Sequence, residues 1–203
     1  MHYDERDKTP VLLDVGYLNT ELSVIQGDAI TFHAVLPIGG GDVTTALAEG
    51  LEISMGQAEE LKRNHVFTPD EFDEQSDPAV QMEDGTTVRF PRNLVRRTIE
   101  SVTDELADDV RQTLDYCRDY LTEKSVIYLT GGGLVNMRGA KEYMAEKLNR
   151  TVRVPVAKAA RLNNPSYASA LGLMDLVFDE IDGQQTAQPG GGALSGIKNI
   201  FKH

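Results

Sequence analysis

The sequence predicts an α/β fold, and three observations carry that expectation. Short alternating apolar runs cluster near the N-terminus, a long stretch at helical spacing fills the middle, and a buried strand runs straight into three glycines ahead of another helix. The 203 residues suffice for one large domain or two small ones. Hydrophobic residues make up 40% and charged residues 26%, which excludes a collagen-like, wholly disordered or coiled-coil chain. Twenty basic against 32 acidic side chains give a net charge of −12, which repels phosphates and excludes a general nucleic-acid binder. The single cysteine, Cys117, forms no internal disulfide, and the four histidines form no metal cluster with it. The charged start MHYDERDKTP is unlike a signal peptide, and no apolar run approaches the roughly 18 residues that cross a bilayer. A cytoplasmic protein is expected.

From Pro10 to Leu36 the runs PVLLDVG, TELSVIQGD and AITFHAVLPI alternate apolar with polar residues, and Gly27-Asp28 suits a tight turn, so a three-strand meander is expected. Ile38-Gly39-Gly40-Gly41-Asp42 then opens a helix through Gly50, with Asp42 as the expected N-cap and Val43, Ala46 and Leu47 at helical spacing. A second helix runs from Ser54 to His65, where Ser54 and Gln57 make a capping box. An acidic, proline-containing loop follows, then AVQMEDGTTVRF, a hairpin turning at Asp84-Gly85. Val95, Ile99, Val102, Leu106, Val110, Leu114, Cys117 and Leu121 recur at steps of three and four and predict one long helix. After it come the strand SVIYLT, a glycine turn, a helix from about Met137 to Leu148, the short strand TVRVPV, and a helix from Pro165 to about Ile181. Residues 182–193 read as a flexible linker. In the tail, 194–203, Leu194, Ile197 and Phe201 form one helical stripe, widened by Ile200, with Lys198 and Lys202 able to reach anionic headgroups; Gly196 favours a frayed terminus instead.

Four segments carry candidate chemistry. In DVGYLNTEL, Asp14 ends a strand, and the turn from Gly16 to Thr20 can hold a metal-bound water and phosphate oxygens, although Asp-x-Gly there also serves simply as a turn. In IYLTGGG, Gly131, Gly132 and Gly133 allow close backbone approach to a flat or phosphorylated ligand; a plain turn needs only one glycine. In AEELKR, Glu59, Lys62 and Arg63 share one helix face, where they can bond a ribose and a base, or form a surface ion pair worth about 0.3–0.5 kcal/mol. Finally, Arg89, Arg92, Arg96 and Arg97 occupy a stretch without any acidic residue, suited to an acidic peptide or to pairing with the acidic loop Asp70 to Asp77.

Taken in order, these segments resemble the second half of FtsA, the actin-like cell-division ATPase family that tethers FtsZ filaments to the membrane. The matches are LLDVGYLNTEL, AVLPIGGGDVTTALAEGL, AEELKR, VIYLTGGGLVNMRGAKEYMAEKL and NPSYASALGLM, together spanning about residues 10 to 178. The resemblance implies an RNase H-like subdomain over residues 1–181, with a small inserted α+β subdomain at about 63–92 that faces FtsZ. It implies ATP and magnesium as cofactors: Asp14 ordering a magnesium-bound water, Gly16 to Thr20 facing the phosphates, Glu59, Lys62 and Arg63 meeting ribose and base, and Gly131 to Gly133 passing under the adenosine. It implies the FtsZ C-terminal tail as a partner through the four arginines, self-association into filaments, and an anionic membrane surface at the inner face of the cell membrane, reached through the 194–203 tail.

Two departures qualify this. The family's phosphate turn runs Asp-x-Gly-Gly-Gly-Thr-Thr, whereas Tyr17, Leu18 and Asn19 stand in the small positions here. The family's first half, with the other phosphate loop, has no counterpart in the sequence, so a fragment or shortened relative is expected. ATP hydrolysis would then require that half to be supplied. The alternatives are a pilus-assembly ATPase or a sugar-kinase-like enzyme of the same superfamily; for the latter, no Ser-His-Asp set, metal cluster or phosphate-loop lysine motif is present.

Overall fold

The computed structural model describes residues 9–27, 29–67, 77–82 and 84–155, and its elements lie within the unit Met1–Val154. The expected helix at 165–181, the linker, the tail and most of the acidic loop fall outside the described residues.

The meander forms as its alternation predicts. Strands β1 (Val11–Val15), β2 (Thr20–Gln26) and β3 (Ala29–Leu36) pair antiparallel in succession. Val11, Leu13 and Val15 are buried on one face of β1, while Leu12 and Asp14 are half-buried on the other. β6 (Ile127–Thr130) lies parallel to β1 on its other side, and β7 (Val152–Arg153) lies parallel to β6, giving a five-stranded sheet in the order β3-β2-β1-β6-β7. All four residues of β6 are buried, as a strand flanked on both sides requires.

The chain between β3 and β6 supplies most of the helices. α1 (Gly40–Leu51) packs against α2 (Met55–Asn64) and α3 (Arg92–Tyr116), and a separate hairpin of β4 (Ala79–Gln81) and β5 (Thr87–Arg89) lies between α2 and α3 in sequence. α4 (Ala140–Leu148) joins β6 to β7 and packs on α3. Ser54 caps α2 with Gln57 as its reciprocal partner, as the sequence predicts.

Three boundaries differ from expectation. The N-cap of α1 is Gly39, and Asp42 sits at the third helical position with Oδ2 accepting the Gly39 amide at 2.7 Å. The long helix stops at Tyr116: Val95, Ile99, Leu106, Val110 and Leu114 are its buried stripe, and Leu121 reaches the core from beyond a short 3₁₀ turn, Arg118–Tyr120. The helical spacing outlasts the helix because core packing continues past the 3₁₀ turn. α4 begins three residues later than its apolar pattern suggests, since Gly139 is left-handed at φ +80 and packs against the Phe67 carbonyl, leaving buried Met137 in the preceding turn.

Candidate functional site

Three glycine-bearing segments meet at the C-terminal ends of β1 and β6. Asp14 and Thr130 are register partners on the two parallel strands, and each strand breaks into its glycine turn just beyond. Gly131 is left-handed (φ +89), and the space a Cβ would need is filled by the Asp14 carboxylate and the Val15 carbonyl. The Gly133 amide donates to the Val15 carbonyl at 2.8 Å. On its other side Gly133 abuts the Gly16 carbonyl and the backbone of Gly40. Close backbone packing therefore accounts for Gly131 and Gly133, while Gly132 faces solvent. The space remaining among Val15, Gly39, Gly40 and Gly133 is about 10 Å³, no more than one water molecule occupies.

The entrance to α1 is locked to the β1–β2 turn. Gly40 donates to the Gly16 carbonyl at 2.9 Å, Gly41 to the Tyr17 carbonyl at 2.7 Å, and Asp42 to the Gly39 carbonyl at 3.2 Å. With Gly39 held by the Asp42 carboxylate, all four opening amides have partners inside the chain, and a negative side chain stands among them. A helix start so arranged does not attract an anion. Thr20, expected to face phosphates, is fully buried and turns inward, its hydroxyl donating to the Ile38 carbonyl at 2.8 Å.

The α2 face separates the expected adenosine trio. Lys62 is 3% exposed, and its ammonium meets three acceptors: the Gly40 carbonyl at 2.9 Å, Thr44 Oγ1 at 3.0 Å and Glu59 Oε2 at 2.7 Å. Three protons on three acceptors leave none for a ribose or base. Lys62 instead holds the α1 entrance against α2, and losing its carboxylate partner would leave a buried ammonium without its counter-charge. Glu59 is part-exposed; burial alone would raise its pKa, but hydrogen bonds from Lys62, Thr44 and Arg63 bring the carboxyl below its usual value. Arg63 lies exposed with Nε 2.9 Å from Glu59 Oε1. The Tyr17 ring rests against the Cα of Gly41, with Cε1 2.8 Å from where a Cβ would sit, and the Lys62 ammonium lies 5.7 Å from its centroid.

Of the residues that the resemblance assigns to ATP and magnesium, Thr20 and Lys62 are taken up inside the chain, whereas Glu59 is part-exposed and Arg63 and Gly132 are exposed. The Tyr17 ring lies over the first turn of α1, whose opening amides are bonded within the chain. Among the described residues no group of three or more His, Cys, Asp or Glu is placed to hold a metal ion. Sequence reasoning singled out Tyr17 as a departure in the phosphate turn but passed over Thr44 as a contact of this face; the run Ile38 to Gly41 was its nearest signal, since three glycines at a helix start mark backbone crowding there.

In the arginine segment, Asp77 is the organiser. Its carboxylate accepts the Arg92 amide at 3.1 Å, and its carbonyl accepts Arg89 Nη1 at 3.1 Å. Arg96 pairs with Glu100 at 2.8 Å, while Arg89 and Arg97 are exposed. Away from the glycine junction, a groove of about 460 Å³ lies between the α1–α2 connection and the β4–β5 turn, with Glu52, Gln57 and Asp84 on its walls. Among the described residues no helix is long and apolar enough to cross a membrane.

A family model described as cell division protein FtsA matches residues 11–172. The FtsA of Bacillus subtilis (strain 168) is 23% identical over 177 residues, covering 84% of this chain and 39% of that protein. The chain spans less than half the length of the curated relatives it matches. Among solved structures, a chain of the PilM-PilN type IV pilus biogenesis complex superposes with a TM-score of 0.62 at 25% identity, over 84% of this chain and 46% of that one. MreB5 of Spiroplasma citri bound to ADP superposes with a TM-score of 0.66 at 12% identity, over 91% of this chain and 57% of that one. The sheet and its helices thus have the actin-like ATPase fold.

Proposed function

The chain belongs to the FtsA family of cell-division proteins, and from that premise we propose that it serves as a scaffold half of an actin-like filament protein that ties FtsZ to the membrane. The observation that carries this reading is the continuous family match over residues 11–172, which takes in the glycine junction and the arginine segment alike. Arg89 and Arg97 are the exposed contacts for the acidic C-terminal tail of FtsZ, in a local reversal of the chain's net charge of −12. Residues 194–203 supply the membrane contact at the inner face of the cell membrane, and self-association multiplies it. Taken alone the chain is a binding module, not an ATPase; hydrolysis would need the family's other half, and with it ATP and magnesium.

The test is titration of a synthetic FtsZ tail peptide into the whole chain. Arg89→Glu combined with Arg97→Glu, which leaves the Arg96–Glu100 pair alone, should weaken binding at least tenfold. Unchanged affinity would end the assignment of the partner surface.

A further inference from the structure

We propose that Tyr17 is the specificity-determining residue of the cleft face, and that its ring makes the chain indifferent to adenine nucleotides by occupying their path. This rests on the functional reading above, because it takes the β1–β2 turn as the phosphate turn of an actin-like cleft.

The argument is one of position. The ring belongs to the turn that would face phosphates, lies against Gly41 in the first turn of α1, and comes within 5.7 Å of the ammonium on α2, the helix that would face the sugar and base. It therefore bridges all three surfaces along which a nucleotide would lie. The Lys62 ammonium, held by Gly40, Thr44 and Glu59, presents its remaining field to the aromatic face. Tyr17 is 51% exposed and Leu18, next to it, 78% exposed, so the turn presents apolar surface where a phosphate needs bare backbone. Glycine at position 17 would uncover Gly41; phenylalanine would keep the cover.

The chain has no tryptophan, so Tyr17→Trp places a single reporter in the ring's position. Its emission should be partly protected from acrylamide and unchanged by millimolar Mg-ADP or Mg-ATP. A fluorescent ATP analogue titrated into the full chain should bind Tyr17→Gly at least tenfold more tightly than the wild type, with Tyr17→Phe matching the wild type and far-ultraviolet circular dichroism confirming the fold of each. Equal affinity of wild type and Tyr17→Gly, including binding by neither, overturns the proposal, as does a tryptophan emission that nucleotide shifts. FtsZ-tail binding by the same variants reads the functional proposal separately, because Tyr17 is not among its contacts.

Discussion

Gly133 and Gly50 show how differently two glycines of one chain bear a methyl group. A Cβ on Gly133 would run into the Gly16 carbonyl and come within 2.9 Å of the Gly40 amide, and both are backbone atoms that a rotamer change cannot move. A Cβ on Gly50, in the exposed last turns of α1, meets nothing within 4 Å. Gly133→Ala should therefore destabilise the chain by about 2–3 kcal/mol through overpacking. Gly50→Ala should stabilise it by about 0.5–1 kcal/mol, because alanine is the better helix former. Urea denaturation of the two variants beside the wild type checks both signs; if Gly133→Ala is neutral, the three glycine segments are not packed as described.

Among the elements, α3 and α4 are clamped by one carboxylate. Asp104 on α3 accepts the Tyr143 hydroxyl at 2.7 Å and the Lys147 ammonium at 2.8 Å, both from α4. Burial, and then the adjacent Asp104, push the Tyr143 pKa well above the usual tyrosine value. The folded chain thus holds this proton more tightly than the unfolded chain. The contribution is complete below about pH 10, the unfolded tyrosine value, and is lost as pH climbs through the folded value. Tyr143→Phe should lower stability by about 1 kcal/mol at neutral pH. Thermal unfolding followed by circular dichroism between pH 7 and about pH 11 would show this gap narrowing at the alkaline end, and a gap independent of pH would count against the clamp.

For the molecule as a whole, the proposed attachment to a membrane would fall on the last ten residues. Four apolar side chains and two lysines give a single copy only marginal affinity, with each lysine worth about 1 kcal/mol near an anionic surface. Stable anchoring would follow from many copies on one filament. A peptide of residues 190–203 should be unstructured in buffer and gain helix on anionic vesicles, weakly and less so as salt rises. Circular dichroism unchanged by excess anionic lipid at low salt would remove the membrane role.

Local chemistry was legible without coordinates. Alternation set the three-strand meander, Ser54 with Gln57 set the start of α2, and the step of three and four from Val95 to Leu114 set the long helix, because each signal lies within a few residues of the element it specifies. The order of the motifs likewise pointed to the family that the match over residues 11–172 bears out. Which polar groups remain available to a ligand was not legible, since that depends on partners far along the chain: Thr20 bonds to Ile38 across 18 residues and Lys62 to Gly40 across 22. A helix face read from spacing shows that Glu59, Lys62 and Arg63 lie together; only tertiary packing decides that the lysine faces inward while the arginine faces water. For the same reason three successive glycines look alike in sequence, yet the backbone of β1 and the entrance to α1 take two of them and leave Gly132 to solvent.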